Sequence, residues 1–301
     1  MLYSFLCATL WASTGIFVKF IVGMNVAEII WGRFLIALVC SIVLMKFNLW
    51  LKQFLFHRHP PIDLLLSGMM TTYYILATFA FIYSPVAMAA LLIALAPLFT
   101  FLFRLIIEKK YNAYEIIGFL IAFLGLTLYF SGRDYLSSGY SIEDIYIGAI
   151  FAISAALLRA IFSYVLRYRV LNGNSVDSDF INTNTLTLGV LCLGVYLIFS
   201  DSTLQLSLSD SYYLLGLGVV ATFIPNILNT ISSMKLNPTI HNIIGMSTPI
   251  SASLMGWLFL NEKQNLFSLI AMIITVGGIF LSMKTNAKDT IASQTSDSIK
   301  N

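Results

Sequence analysis

Amides and hydroxyls recur on one face of a long apolar stretch of this sequence, where they could contact a solute. Asn226, Asn229 and Thr230 stand there, with Thr222 and Ser233 one turn before and after them. At 100° per residue, the five fall within roughly 100° of one another on a helix. Such a face can hydrogen-bond a solute in a water-filled cavity, or it can join packed helices. Two amides on one face favour the cavity.

Weaker versions of this pattern occur in two other apolar stretches. Thr71, Tyr74 and Thr78 fall within roughly 60° of one another on a helix face. Asn242 shares its face with methionine and proline residues, which dilute the polar character. Both faces are predicted walls of the same cavity. For each of them, hydroxyls that bond their own helix or a neighbouring helix are the alternative.

Arg159 lies deeper in its apolar stretch than any other cation of the sequence. An arginine at the centre of a membrane helix costs about 2.5–3.5 kcal/mol, which requires compensation. Gly148, Ala152 and Ala155 share its face, so water or a solute has room to approach. A guanidinium can bind a carboxylate or phosphate through two parallel hydrogen bonds. We therefore predict that Arg159 binds an anionic group of a solute; snorkelling to the inner surface is the alternative.

The composition places these residues in a membrane protein. The chain has 301 residues, of which 58% are hydrophobic and only 10% are charged, whereas soluble domains are about 45–50% apolar and 25% charged. This excludes a soluble enzyme, a disordered chain and, with a net charge of only +3, a nucleic-acid-binding protein. The three cysteines lie in apolar runs and are expected to be free thiols.

Ten runs are long enough to cross a membrane, which takes about 20 mainly apolar residues. They cover about residues 2–22, 26–46, 62–83, 85–107, 112–131, 145–166, 178–199, 211–234, 238–260 and 265–284. These runs are far longer than the roughly ten-residue strands of a membrane barrel. The sequence therefore predicts an all-α polytopic membrane protein with ten transmembrane helices.

The distribution of lysine and arginine predicts the orientation. With the N-terminus inside, the inner loops hold eleven of these residues and the outer loops hold two. Because cytoplasmic loops carry the excess of positive charge, both termini are predicted to be cytoplasmic. We expect the protein in the cytoplasmic (inner) membrane, with the loop 132–144 outside.

Matching residues recur at offsets of 152 to 154 positions along the chain. The pairs are Pro85 and Pro238, Pro97 and Pro249, Glu108 and Glu262, and Gly125 and Gly278. A duplicated unit of five runs is odd in number, so the second copy must be inverted relative to the first. We predict one repeat over residues 1–134, a second over 140–284, and a disordered cytoplasmic tail over 285–301.

Several of these motifs resemble one transporter family. Leu10-Trp11-Ala12-Ser13 leading to Lys19, Arg33-Phe34, and two runs that contain proline and end in Glu-Lys are similar to the EamA-like family of the drug/metabolite transporter superfamily. The resemblance covers about residues 1–284. It implies two inverted five-helix repeats around a central cavity. Members of the family move amino acids, nucleotide-linked metabolites and other small solutes.

The predicted function is secondary transport of a small polar metabolite, such as an amino acid or a related anionic or zwitterionic solute. The predicted solute contacts are Arg159, Asn226, Asn229, Thr230, Ser233, Tyr74, Thr71, Thr78, Asn242 and Trp11. The alternatives are a membrane channel and an intramembrane enzyme, although no catalytic motif or mid-span carboxylate pair occurs. We expect no metal, no cofactor and no catalytic residue, with a solute and the lipid bilayer as partners. The oligomeric state stays open.

Three other features of the runs carry expectations. Lys19 stands near the outer end of its run and is expected to snorkel to the lipid headgroups. Arg33 is expected to have an ion-pair or folding role, although Glu28 is poorly placed on the helix to be its partner. Pro225 interrupts its run and frees a backbone carbonyl one turn earlier, which predicts a kink.

Overall fold

The structure is a computed structural model of the chain. It describes residues 1–45, 61–109, 113–131, 140–172, 177–200, 207–235, 244–245, 247–262 and 265–281. Within these ranges the regular structure is entirely helical. Asn242, most of the predicted outer loop 132–144 and the predicted tail lie outside the described residues.

Thirteen α-helices make up the described part of the chain. They are α1 (Leu2–Ala12), α2 (Thr14–Phe20), α3 (Val26–Met45), α4 (Pro61–Tyr83), α5 (Val86–Ile93), α6 (Ala96–Phe103), α7 (Ala113–Ser131), α8 (Ile142–Leu171), α9 (Ser178–Phe199), α10 (Leu208–Gly218), α11 (Ile224–Lys235), α12 (Ser247–Leu260) and α13 (Leu266–Leu281). Two π-helical turns, Arg104–Glu108 and Val219–Phe223, extend α6 and join α10 to α11.

Seven helical stretches are long and apolar enough to cross a membrane. They are Leu2–Phe20, Val26–Leu44, Pro61–Tyr83, Val86–Ile107, Ile142–Leu166, Asp179–Phe199 and Leu208–Asn229. Ile116–Tyr129 and Leu266–Leu281 are shorter apolar helices. The sequence prediction of an all-helical, multi-pass membrane protein is thus confirmed in its coarse form.

Short polar motifs fix where several of these helices begin. Asn25 N donates to Glu28 Oε2 at 2.9 Å, and Glu28 N donates to Asn25 Oδ1 at 3.0 Å. This reciprocal pair satisfies two amides that the first turn of α3 leaves without helical partners. Glu28 is therefore used as a helix cap, which explains why it is no partner for Arg33. At α9 and α10 the cap side chains of Asp177 and Ser207 accept from the backbone N–H three residues later.

The core is centred on α5, whose eight residues are all buried. Around it, α4 packs on α8, while α1 and α2 pack on α11 and α10. Helices α3 and α9 pack on each other, and so do α5 and α12. The chain therefore buries its most apolar short helix among the longer helices that carry the polar side chains.

Helices α7 and α13 approach each other closely through small residues. A Cβ atom placed on Gly125 would lie 2.5 Å from Thr275 N, and one placed on Gly278 would lie 2.3 Å from Ala122 N. Adding 153 to Gly125 gives Gly278, and adding 153 to Ala122 gives Thr275. The offset of 153 residues therefore converts each of these two contacts into the other.

Two aspartates anchor helix ends in a related way. Asp63, in the first turn of α4, forms an ion pair with Arg169 near the end of α8. Asp210, in the first turn of α10, accepts a hydrogen bond from Val22 N just after α2, at 3.2 Å. An offset of 147 residues relates both members of one pair to those of the other. The same spatial relation thus occurs twice, once as an ion pair and once with a backbone amide.

Candidate functional site

Arg159 lies where α8 faces α1 and α4. Its Cζ atom is 5.5 Å from the ring centroid of Trp11 and 5.8 Å from that of Tyr73. Such aromatic faces attract a cation through their quadrupole. Among the residues that the structure describes, no hydrogen bond or ion pair to Arg159 is formed. The guanidinium therefore has two aromatic neighbours and unused donors.

The indole of Trp11 also has an unused donor. Its Nε1 atom is buried and has no hydrogen-bond partner among the described residues. A buried donor without an acceptor costs about 1–3 kcal/mol, so a partner supplied by water or a solute is favoured. One turn earlier on α1, the buried thiol of Cys7 donates to Pro225 O at 3.3 Å. This contact holds α1 against the start of α11.

Tyr74 connects α4 to α11. Its hydroxyl donates to Asn226 Oδ1 at 3.0 Å, and its ring packs edge-on against the ring of Tyr73. The structure thus brings together Arg159, Trp11, Tyr74 and Asn226, all predicted from the sequence. Tyr73 was missed because it lies about 100° around the helix from Tyr74, off the polar face that was followed.

Arg33 is a second arginine of the interior, and only 2% of its surface is exposed. Its Nε atom donates to Thr222 Oγ1 at 2.6 Å, and Nη1 donates to Thr78 Oγ1 at 3.3 Å. The guanidinium also stands 5.0 Å from the ring centroid of Tyr74. Of the ion-pair or folding role expected for Arg33, the described residues form no ion pair, but hydrogen bonds to neutral groups of α4 and the π-helical turn fit the folding role.

Pro225 explains one further partner of Arg33. Proline has no N–H, so the carbonyl four residues earlier, that of Ala221, loses its helical donor. Arg33 Nη2 points at this oxygen from 3.5 Å. The hydroxyl of Thr222 bonds Leu217 O, five residues back, within the widened turn. At the place where the kink was predicted, the structure has a π-helical turn just before Pro225. Arg33 contacts a carbonyl of this turn.

Two predicted solute contacts are used by the protein itself. Thr71 donates to Thr185 O of α9 at 2.8 Å and is 5% exposed, so it belongs to the packing of α4 on α9. Thr78 donates to Tyr74 O at 2.8 Å and accepts from Arg33. These bonds are of the kind given as the alternative for this helix face, and the solute contact of the two hydroxyls stays a prediction.

The remaining predicted contacts follow Asn226 along the chain. Asn229 is half-buried on α11. The side chains of Thr230 and Ser233, and all of Asn242, lie outside the described residues. Among the residues described, no group of three or more histidine, cysteine, aspartate or glutamate side chains could hold a metal ion.

A second polar cluster lies at the end of α2. Lys19 Nζ is 3.0 Å from Glu262 Oε1, and it also donates to Ser84 O and to the hydroxyl of Tyr140. The Glu262 carboxylate accepts from Val86 N, in the first turn of α5, at 3.1 Å. The side chains of Lys19 and Glu262 are 11% and 5% exposed. The expectation that Lys19 snorkels to lipid is therefore wrong.

The fold and the cluster around Arg159 define a multi-pass helical membrane protein with polar and aromatic side chains gathered in its interior. The chain matches the EamA-like transporter family over residues 1–131 and 146–284 and therefore belongs to that family, within the drug/metabolite transporter superfamily. The resemblance seen in the sequence motifs is confirmed.

Two curated bacterial relatives are similar to this chain. One is an uncharacterized transporter of Bacillus subtilis, YdfC, 27% identical over 209 residues, which are 67% of this chain and 64% of that protein. The other is an uncharacterized transporter of Haemophilus influenzae, 26% identical over 181 residues, or 58% and 56% of the two chains. In each case the chain spans less than two thirds of the relative's length.

A solved crystal structure of a protein has the same overall fold. It superposes with a TM-score of 0.65 and covers 96% of this chain and 97% of the other. The two sequences are 18% identical. The similarity therefore supports the fold of this chain across nearly its whole length, and nothing about its solute.

Proposed function

We propose that the protein is a secondary transporter that moves a small metabolite with an anionic group across the cytoplasmic membrane by alternating access, as an exporter or an exchanger. The observation that carries this proposal is the convergence of α1, α4, α8 and α11 on Arg159. A charge at this depth is costly unless it has a use, and intramembrane ionisable residues commonly mark solute pathways.

The proposed solute site combines charge, aromatic faces and amides. Arg159 binds the anionic group, Trp11 donates its indole N–H, and Tyr74 with Asn226 forms the wall opposite. Asn229, Thr230, Ser233 and Asn242, which share the polar sequence pattern, stay proposed solute contacts. Thr71 and Thr78 are left out because their hydroxyls serve the packing of the helices.

The proposed architecture is ten helices in two inverted repeats, residues 1–134 and 140–284. Support comes from the two contacts between α7 and α13. Adding 153 to Gly125 and subtracting 153 from Thr275 converts the first contact into the second, between Gly278 and Ala122. The two aspartate anchors, related by 147 residues, give independent support. Transporters built this way carry their solute at the interface of the repeats and rock one against the other.

The π-helical turn before Pro225 is the proposed flexible element. A helix that lacks one backbone bond bends there more easily than elsewhere. Asn226 follows this turn directly, so a change in the bend would move Asn226 relative to Tyr74 and Arg159. This movement would alter the site as the transporter changes state.

Flux measurements with variants of Arg159 test the proposal. Purified protein is first screened by thermal stability against amino acids, organic acids and nucleotides, since a bound ligand raises the unfolding midpoint. The stabilising compound is then used, labelled, in proteoliposomes. We expect saturable flux of the unchanged compound, lost in Arg159→Gln, partly kept in Arg159→Lys, and normal in Lys109→Gln, which removes an exposed cation.

Three results would contradict this proposal. Flux that rises linearly with concentration would indicate a channel, and a chemically altered product would indicate an enzyme. Normal flux in Arg159→Gln, at normal protein levels, would remove Arg159 from the solute site.

Both termini are proposed to be cytoplasmic. The exposed residue Ser141 at the start of α8 then lies outside. A single cysteine at this position, in a protein without Cys7, Cys40 and Cys192, should react with a membrane-impermeant maleimide in intact cells. Reaction only after lysis would reverse the orientation.

A further inference from the structure

We infer that the solute is a small organic carboxylate without a free ammonium group, and that zwitterionic amino acids are poor solutes. This inference rests on the proposed transport function and narrows its substrate class. It follows from a comparison of the hydrogen-bond donors and acceptors that surround Arg159.

The donors of this site are unused. Among the described residues the guanidinium of Arg159 has no hydrogen-bond acceptor, and the buried Nε1 atom of Trp11 has none either. The two groups are neighbours, since the guanidinium Cζ stands 5.5 Å from the indole centroid. A carboxylate accepts hydrogen bonds only, through two oxygens, and so complements these two donors.

Two acceptors near the site already have a protein donor. Asn226 Oδ1 accepts from the Tyr74 hydroxyl, and Pro225 O accepts from the Cys7 thiol. The carbonyl of Ala221, which Pro225 leaves free, faces Arg33. An ammonium group carries three donors and no acceptor, so at these oxygens it would share its acceptors with groups of the protein.

Aromatic faces could replace oxygens as partners of an ammonium group. Here, however, Trp11 and Tyr73 both lie within 6 Å of the Arg159 guanidinium, measured to their ring centroids. The ring centroid of Tyr74 likewise lies 5.0 Å from the Arg33 guanidinium. A second cation on these rings would be repelled by the arginine already there.

Carboxylates that could bind an ammonium group are absent from the middle of every span. All 14 acidic residues stand at the ends of the predicted spans or outside them. Along α8 itself, Asp144 precedes Arg159 by 15 residues, which is about 22 Å at 1.5 Å per residue. The centre of the transporter is therefore positive and suits a solute with net negative charge.

Matched pairs of compounds test this inference on the purified full chain. They are 3-phenylpropionate with L-phenylalanine, propionate with L-alanine, and glutarate with L-glutamate, each titrated while the thermal unfolding midpoint is recorded. Within a pair, the two compounds differ by the amino group alone. For at least one pair we expect the acid without the amino group to half-saturate the stabilisation at a concentration at least ten times lower.

Variants test whether carboxylate binding depends on Arg159 and Trp11. Loss of charge-assisted hydrogen bonds should weaken carboxylate binding about 10- to 100-fold in Arg159→Gln. Trp11→Phe keeps a ring and removes one donor, and should weaken binding about tenfold. Trp31→Phe is the matched control, because Trp31 Nε1 is also buried without a partner but lies against Gly194 of α9, so binding should be unchanged.

The outcomes separate this inference from the proposed function. If an amino acid binds as tightly as its deaminated partner, the inference fails while transport stands. It also fails if none of the six compounds binds, or if Trp11→Phe and Trp31→Phe behave alike. Failure of the transport proposal would instead appear in proteoliposomes, as flux that does not saturate.

Discussion

Replacing Glu262 by glutamine tests the polar cluster that joins α2, α5 and the end of α12. The substitution keeps the shape of the side chain and an oxygen that can accept from Val86 N. It removes the charge that faces Lys19 Nζ at 3.0 Å, at a place where the two side chains are 11% and 5% exposed. Lys19 then loses the counter-charge that Glu262 supplies.

The expected loss of stability depends on the hydrogen-bond acceptors that Lys19 keeps. Breaking a buried ion pair by removing one partner costs about 3–5 kcal/mol. Lys19 keeps Ser84 O as an acceptor, at 2.8 Å, and the hydroxyl of Tyr140. Two remaining neutral acceptors reduce the cost, so we expect a loss of about 2–3 kcal/mol in the free energy of unfolding.

Unfolding of the purified protein by SDS in mixed micelles, followed by circular dichroism, measures this loss. Lys19→Met combined with Glu262→Gln should recover part of it, since the double variant removes both charges of this pair; a coupling energy of about 2 kcal/mol is expected. The matched control is Glu143→Gln, which removes an exposed carboxylate and should change stability by less than about 0.5 kcal/mol. The reasoning would be refuted if Glu262→Gln changed the free energy of unfolding by less than about 0.5 kcal/mol. It would also be refuted if the changes in the two single variants added up to the change in the double variant.

Further predictions concern the packing of α13 and the role of Arg33. Gly278→Ala should cost about 1–3 kcal/mol, because its Cβ would lie 2.3 Å from a backbone nitrogen of α7. The neighbouring Gly277→Ala has no atom within 4 Å of the new Cβ and should stabilise α13 by up to about 1 kcal/mol; equal SDS midpoints would contradict this packing. Arg33→Lys should lose about 2–4 kcal/mol by the same measurement, since one ammonium cannot reach three separated acceptors. Wild-type stability would show that these contacts do not support the fold.

Helical periodicity predicted much of the site, because the side chains that gather at Arg159 repeat at helical spacing. Tyr74 and Asn226 were reached in this way, whereas Trp11 belongs to the motif that resembles the family. Periodicity describes one helix at a time, however, and does not tell which neighbour a face meets. Thr71 shares its face with Tyr74 but lies against α9.

The partners of the buried cations could not be predicted from local sequence. Lys19 and Glu262 are 243 residues apart, and Arg33 and Thr222 are 189 apart. No pattern along one helix relates such positions. A rule that depends on depth alone assigned Lys19 to the headgroups, whereas the fold brings it a carboxylate from the segment just after α12.

The proposed repeat gives a reason why the solute site should lie where Arg159 is. Trp11 and Arg159 are 148 residues apart, and the hydrogen-bonded pair Tyr74 and Asn226 is 152 apart. Both separations fall between the offsets of 147 and 153 that relate the aspartate anchors and the close-packed glycines. Equivalent residues of two copies can touch only beside the axis that exchanges the copies, and in inverted repeats this axis lies in the plane of the membrane. In the proposed arrangement the cluster would lie on this axis, where one copy would supply an aromatic ring and the other a cation.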